Sequence, residues 1–301
     1  MNTQSPRVMT LVLAGILALV LTVTVGGIWT VLLAVNLTTS PAIPWAVAVM
    51  ALLLWLLWRY LAGAGWPQRS SEVRRRLLRA NRLPGRVFAW AVLAGVLAIV
   101  ALAGLWPVLF QLAHVPARSL PGLSKYPAAS VALVLLMASL VSSLAEEAAF
   151  RGYFLGLLER RLSRPVAVLI AAVAIAPGHA LTQGFVWPTL LFYLFVDLML
   201  GALASLTGSI LPAIVVHCLG LLVFFTLVWP GDMLQRLAGR GGADVWLWIH
   251  SAQAIVFAAL AVLAFIRLAR LASAMKAAPL AYTAAKPASE GCGDAIQIQH
   301  T

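Results

Sequence analysis

The residues best suited to chemistry in this chain are ionisable side chains within long apolar segments. One segment carries Glu146, Glu147 and Arg151, and the next three carry His179, Asp197 and His217 in turn. Ionisable groups inside a lipid bilayer are rare and costly, so a cluster of them indicates a functional site. A carboxylate that faces water there is a candidate general base. Carboxylates and histidines also form the proton relays of transporters, so the residue types indicate acid–base catalysis or proton transport.

Helix geometry separates the roles of the two adjacent glutamates. Glu147 and Arg151 are four residues apart, with the acid first, so they lie on one helix face as a favourable ion pair. Glu146 points about 100° away from Glu147 around the helix axis. We therefore expect Arg151 to neutralise Glu147 and leave Glu146 facing a water-filled centre as the candidate general base.

The spacing of the ionisable residues predicts that they share one depth in the membrane. In a tight antiparallel helix pair, residues equally distant from the turn lie at the same depth. The midpoints between successive members of the series Glu146, His179, Asp197 and His217 are Leu162–Ser163, Pro188 and Thr207. Each midpoint falls on a predicted connection, so one layer can hold all four residues. A lone intramembrane histidine is more often a hydrogen-bonding group, and Asp197 alone fits a structural role as well as a functional one.

The composition requires lipid around most of the chain. Of 301 residues, 62% are hydrophobic and 10% are charged, whereas soluble domains are about 25% charged. The sequence predicts an all-α, polytopic membrane protein with about eight transmembrane helices, because apolar runs of about 20 residues recur. These spans are roughly 8–35, 45–62, 88–112, 127–158, 165–181, 187–206, 210–229 and 245–271. The first run is too long for the core of a signal peptide, so we expect a retained helix.

Four regions follow from this pattern. Residues 1–126 hold three N-terminal helices and a basic loop, 127–230 hold the core with the ionisable residues, 231–275 hold the eighth helix, and 276–301 form a tail whose composition predicts disorder. The two cysteines, Cys218 and Cys292, lie far apart, and they form neither a disulfide framework nor a metal-type cluster.

The basic residues predict the orientation of the chain. Its formal net charge is +12. Sixteen lysines and arginines fall on the N-terminus, the tail and alternate connections, and four fall on the other connections. This bias predicts that both termini lie in the cytoplasm. We expect a multi-pass protein of a bacterial cytoplasmic membrane. Because the basic residues separate apolar segments as topology signals do, membrane lipid is an expected partner and nucleic acid is not.

The longest basic connection, residues 69–86, has two interpretations. It could form a helix on the membrane surface, with Val73, Leu77 and Leu78 facing lipid and its arginines near anionic head groups. The alternative, which we favour from the sequence, is a loop whose charges only set topology.

Three motifs resemble those of a known protease family. The segment from Glu146 to Tyr153, EEAAFRGY, resembles the EExxxR motif of the CAAX protease and bacteriocin-processing (CPBP, or Abi) family. His179 is similar to the histidine of the family's FxxxH motif, although Ile175 replaces the phenylalanine. His217 is similar to the histidine of the third motif, although Leu221 stands where asparagine or aspartate is usual.

The resemblance implies a CAAX-protease-like helix bundle that hydrolyses a peptide bond within the membrane, in a protein or peptide substrate that can itself be membrane-anchored. The residues it implicates in catalysis are Glu146, Glu147, Arg151, His179 and His217.

The resemblance also implies a divalent metal, zinc in the first place. His179 and His217 would bind it, with Glu146 and Asp197 as further candidate ligands, or the histidines would instead orient the water and stabilise the oxyanion. Histidine rings more than about 10 Å apart would exclude shared coordination, because zinc–nitrogen bonds are about 2.0–2.1 Å. Asp197 is a candidate replacement for the polar group missing at Leu221.

Two other functions fit the same residues. A catalytically inactive membrane scaffold would explain Leu221. A proton-coupled transporter would use the same ionisable groups, but such proteins favour repeats and paired broken helices. The sequence shows no repeat and one candidate break, Pro177-Gly178.

Overall fold

The computed structural model describes residues 5–113, 126–228 and 244–284, with backbone alone for 5–8, 180–183 and 276–284. This part of the chain consists of helices and their connections, without a β-strand. The helices are α1 (Ser5–Thr39), α2 (Trp45–Leu61), α3 (Ser71–Leu78), α4 (Gly85–Ala113), α5 (Ala128–Leu158), α6 (Arg164–Gln183), α7 (Trp187–Thr207), α8 (Leu211–Val228) and α9 (Val245–Ala284), with a short 3₁₀ turn, Gln68–Ser70, before α3.

The predicted all-α membrane fold is confirmed. Six helices, α1, α4, α5, α7, α8 and α9, are long and apolar enough to cross a bilayer. The apolar parts of α2 and α6 are shorter, so the count of eight spans stays a prediction. Large apolar side chains such as Leu17, 56% exposed, and Leu263, 63% exposed, lie on the outside. In an integral membrane protein these faces are covered by lipid.

Two helices contain π-helical turns. Residues Glu147–Phe154 of α5 are π-helical between α-helical segments, and α8 ends in a second π-helical segment, Phe224–Val228. In contrast, α6 runs without interruption through Pro177, so the break predicted at Pro177-Gly178 is wrong. An interior proline removes one backbone hydrogen bond and crowds the carbonyl four residues earlier, yet the residues on both sides of Pro177 keep helical geometry.

Part of the basic connection after α2, Ser71–Leu78, is a helix where we favoured a loop. Helix α3 packs against the bundle through Leu78, which is 4% exposed and belongs to a cluster with Ala148 and Ile210. Leu78 therefore faces protein and not lipid, contrary to the alternative we considered. Val73 on the opposite side is 56% exposed, as expected of a residue at the membrane surface.

The segment after α3 is attached to the turn between α7 and α8. Arg79 adopts a left-handed conformation with a φ of 55°, and its carbonyl accepts a hydrogen bond from Ile210 N at 3.1 Å. Asn81 Nδ2 donates to Gly208 O at 2.9 Å, and Ser209 Oγ donates to Asn81 O at 2.7 Å. These bonds hold the basic segment against the core of the bundle.

Gly152 allows α3 to approach α5 closely. A Cβ atom at this position would lie 2.9 Å from Leu78 O and 3.0 Å from Leu77 O. Both atoms belong to backbone, which cannot move aside as a flexible side chain could. The glycine that follows Arg151 in the sequence motif is therefore required by packing.

The tail differs in part from its prediction. Helix α9 extends to Ala284, so the first residues of the region 276–301 are helical and not disordered. Residues 285–301, including Cys292, lie outside the described part of the chain, as do residues 114–125 and 229–243, which include most of two predicted connections.

Candidate active site

A cavity of about 400 Å³ lies between α1 and helices α4 to α8. Most of its wall is apolar. The polar side chains on the wall are Thr22, Ser142, Glu146, His179, Tyr193 and His217. Three of the predicted site residues therefore face one cavity.

Glu146 stands between the two histidines. Its Oε2 atom lies 3.9 Å from His179 Nε2 and 3.8 Å from His217 Nε2. The glutamate is 8% exposed, and no described group donates a hydrogen bond to Oε2. Because both imidazole nitrogens are neighbours of one oxygen atom, the histidines satisfy the distance condition for shared coordination. The fold thus brings together these three residues, for which the sequence predicted a common depth.

Glu147 holds His217 in a defined orientation. Its Oε1 atom accepts a hydrogen bond from His217 Nδ1 at 2.9 Å and lies 3.4 Å from Arg151 Nη1. The side chain of Glu147 is completely buried. A neutral imidazole that donates through Nδ1 has its lone pair on Nε2, and here Nε2 faces Glu146. Glu147 pairs with Arg151 as expected, but it has a second partner that helix geometry alone did not predict.

Asp197 is bound by Arg151. Arg151 Nη2 donates a hydrogen bond to Asp197 Oδ1, and the other carboxylate oxygen lies 3.8 Å from His179 Nε2. Asp197 is 1% exposed and does not line the cavity, whereas Leu221 does. Asp197 therefore lies beside the histidine of α6, and its replacement of the polar group missing at Leu221 stays a hypothesis.

The π-helical turn alters the geometry that we assumed for the glutamates. Glu146 is the last residue of the α-helical segment, and Glu147 and Arg151 belong to the π-helical one. A π-helical turn is wider than an α-helical turn and occurs frequently at functional sites. Here it lies where Glu146 faces the cavity and Glu147 contacts α8.

Sequence reasoning missed two residues that contact the cluster. Tyr193 stacks on His179, with ring centroids 4.1 Å apart and an angle of 14° between the planes. Its position four residues before Asp197 places both on one face of α7, which is the signal that could have revealed it. Arg79 Nη1 donates to Arg151 O at 3.3 Å, a contact across 72 residues that no local pattern predicts.

The cluster fits a divalent metal in its donor types. Two imidazoles and a carboxylate suit zinc, and Glu147 behind His217 is the kind of outer partner that orients a histidine ligand. Two donor atoms of a tetrahedral zinc site lie about 3.4 Å apart, so the histidine–Glu146 distances of 3.9 and 3.8 Å would each have to shorten by about 0.5 Å to share an ion. As the side chains stand, no group of three or more His, Cys, Asp or Glu in the described ranges could hold a metal ion.

Comparison with known proteins supports the resemblance seen in the motifs. Residues 127–223 match a family described as Rce1-like, the Type II CAAX prenyl endopeptidase Rce1-like family. The match runs from the start of α5 to α8 and includes Glu146, His179 and His217. It is consistent with the CPBP family. Neither a curated protein nor a solved structure matches the chain.

Proposed function

We propose that this chain is an intramembrane peptidase that cleaves a peptide bond with a water molecule activated by Glu146. The observation that carries the proposal is the position of Glu146 Oε2, within 4 Å of Nε2 of both His179 and His217 on the wall of an apolar cavity. A carboxylate in such a place can accept a proton from water held between it and the histidines. The match to a family of CAAX endopeptidases supports the same reaction.

Each residue of the cluster has a distinct role in this proposal. Glu146 takes a proton from the water molecule as the water oxygen attacks the carbonyl carbon of the peptide bond. Glu146 then returns the proton to the amide nitrogen as the carbon–nitrogen bond breaks, which yields a carboxylic acid and an amine. His179 and His217 hold the water and the developing oxyanion in line with Glu146. Glu147 orients His217.

The same donors would bind a divalent metal, zinc in the first place. His179 and His217 would be ligands through Nε2, and Glu146 would be the nearest carboxylate. When bound, such an ion lowers the pKa of water and polarises a carbonyl group. The metal content of purified protein tests this independently of activity. We expect about one bound ion per chain, and we expect His217→Ala to remove it.

The cavity and the family match together suggest the substrate class. The wall is apolar apart from a few polar side chains, so it suits a peptide with a hydrophobic attachment. The matched family is described as acting on CAAX prenyl substrates. We propose a peptide or protein with a lipid-modified cysteine near its C-terminus, which reaches the site from the membrane.

One feature favours a second candidate function, an inactive scaffold. Leu221 lines the cavity one turn after His217, where the motif resemblance implies asparagine or aspartate. A scaffold would keep the fold and lack hydrolysis. Proton-coupled transport would use the same ionisable groups, but the one candidate helix break that the sequence offered for it is not present, because α6 continues through Pro177.

The decisive experiment is cleavage of an isoprenylated CAAX peptide by purified, detergent-solubilised protein, with and without a chelator. We expect Glu146→Gln to reduce kcat by about 10² to 10⁴, the usual contribution of a general base. The matched control is Ser139→Ala on the same helix. Ser139 is fully buried and its hydroxyl donates to Leu135 O, so this variant loses a polar group outside the cavity.

The outcomes separate the two candidate functions. Cleavage that Glu146→Gln abolishes and Ser139→Ala retains supports the peptidase. Bound peptide without cleavage, equal in wild type and Glu146→Gln, supports the scaffold. Cleavage that persists in Glu146→Gln would contradict the assigned base.

A further inference from the structure

A second pocket, of about 310 Å³, lies between α3, the end of α5 and the start of α6. Its charged lining consists of Arg76, Arg79, Glu159, Arg160 and Arg164. It shares no lining residue with the cavity of the candidate active site. Four arginines thus face one concave site with one acid among them: Arg76 of α3, Arg79 directly after α3, Arg160 in the turn after α5, and Arg164 at the start of α6.

The single acid in this pocket is already paired. Glu159 Oε2 lies 3.0 Å from Arg79 Nη2, and both side chains are largely buried. Outside the pocket, Glu72 is shared between Arg75 and Arg76. Arg160 and Arg164 form no ion pair with any residue of the described ranges. The pocket therefore has an excess of positive charge and two guanidinium groups available to an anion.

The surroundings of the pocket indicate a lipid rather than a soluble anion. On α6, directly after Arg164, the apolar side chains of Val166 and Leu169 are 44% and 48% exposed. On α3, Val73 is also exposed. Positive charge beside a lipid-facing apolar strip matches the two parts of an anionic phospholipid, a phosphate head group and acyl chains.

We propose that this pocket binds the phosphate group of an anionic phospholipid. Arginine pairs with phosphate through two parallel hydrogen bonds, and basic pockets between transmembrane helices bind such head groups. Arg160 and Arg164 bind the phosphate, while Arg79 forms the fixed wall of the pocket. The acyl chains lie along the exposed apolar face of α6.

The pocket adjoins the candidate active site through Arg79. That side chain donates hydrogen bonds to Arg151 O at 3.3 Å and to Ala204 O at 3.4 Å. The side chain of Arg79 therefore connects a phosphate bound in the pocket to the backbone of the π-helical turn. Lipid binding can be measured whether or not the chain is a peptidase, so the two proposals can fail separately.

The test is a titration of delipidated protein in uncharged detergent with phosphatidylglycerol, in which native mass spectrometry counts the bound lipid. We expect the double variant Arg160→Gln/Arg164→Gln to bind about 30-fold more weakly, because each arginine at a membrane surface contributes about five-fold. The matched control is Arg267→Gln/Arg270→Gln, which removes the same charge from exposed positions on α9 outside the pocket. We expect the control to bind within two-fold of wild type.

Three results would overturn the proposal. Equal weakening in both double variants would mean that only the overall charge matters. Equal binding of phosphatidylcholine would remove the requirement for an anion. Binding of glycerol phosphate as tight as that of the lipid would make a soluble phosphate the ligand. If the double variant does not fold, the single variants Arg160→Gln and Arg164→Gln serve instead, each expected to weaken binding about five-fold.

Discussion

Arg151 holds together the polar centre of the bundle, and its removal is the most direct perturbation of that centre. The side chain is 2% exposed and contacts two carboxylates, Glu147 at 3.4 Å and Asp197 through a hydrogen bond. Both acids are buried at 1% exposure or less. We predict that Arg151→Met, which keeps the volume and removes the charge, leaves two buried acids without their shared partner.

The expected loss of unfolding free energy in Arg151→Met follows from the burial of Arg151 and its two acidic partners. Breaking a buried ion pair by removal of one partner reduces the free energy of unfolding by about 3–5 kcal/mol. Two acids depend on Arg151, so we expect the upper half of this range. Glu146→Gln should change the same quantity by less than about 1 kcal/mol, because Glu146 has no dedicated partner and functional residues are commonly not optimised for stability.

The assay is reversible unfolding of the detergent-solubilised variants, followed as a double-mutant cycle with Asp197→Asn. Asp197→Asn should destabilise wild type more than it destabilises Arg151→Met, with a coupling energy of about 1–3 kcal/mol. Arg267→Met on the exposed surface should stay within about 0.5 kcal/mol of wild type. If Arg151→Met is as stable as Glu146→Gln, or if the cycle shows no coupling, the assignment of this ion-pair network is wrong.

Three further predictions concern packing, the cavity and orientation. Gly152→Ala should destabilise the protein by about 1–3 kcal/mol, because its Cβ meets the backbone of α3, whereas Gly26→Ala, with open space around it, should be neutral or stabilising by up to about 1 kcal/mol in the same unfolding assay. In the peptide-cleavage assay, Tyr193→Phe should keep kcat within about three-fold because the ring stack on the α6 histidine remains, and Tyr193→Ala should lower it by about ten-fold, since such stacking contributes about 0.5–1.5 kcal/mol. Reporter fusions after Arg86 and after Lys276 should both give cytoplasmic signals, and an external signal at either site would contradict the orientation.

The sequence predicted which residues share a depth, because depth depends only on distance along a helix from its turn. Glu146, His179 and His217 stand at such distances, and the structure brings them to one cavity. The positions of the apolar helices follow from hydropathy for a similar reason, since each helix must span the bilayer by itself.

Rotation about the helix axes could not be predicted in the same way. Asp197 lies beside His179, as expected for one layer, but its other carboxylate oxygen pairs with Arg151 of α5, and only the packing of α5 against α7 sets that direction. Glu147 reaches His217 from a π-helical turn, and no local propensity marks such a turn in the sequence. Arg79 contacts residues far away in the chain, so its role depends on the folded arrangement of three helices.

The short apolar helices have a consequence for the surrounding bilayer. Helix α2 has 17 residues, which corresponds to a length of about 26 Å at 1.5 Å per residue. The apolar part of α6, Arg164–His179, is one residue shorter than α2. The hydrocarbon core of a bilayer is about 30 Å thick. Short hydrophobic segments are matched by local thinning of the membrane. If α2 and α6 span the bilayer as predicted, such thinning would bring the aqueous phase closer to the mid-plane beside α6, and would shorten the path by which water reaches Glu146 in its cavity.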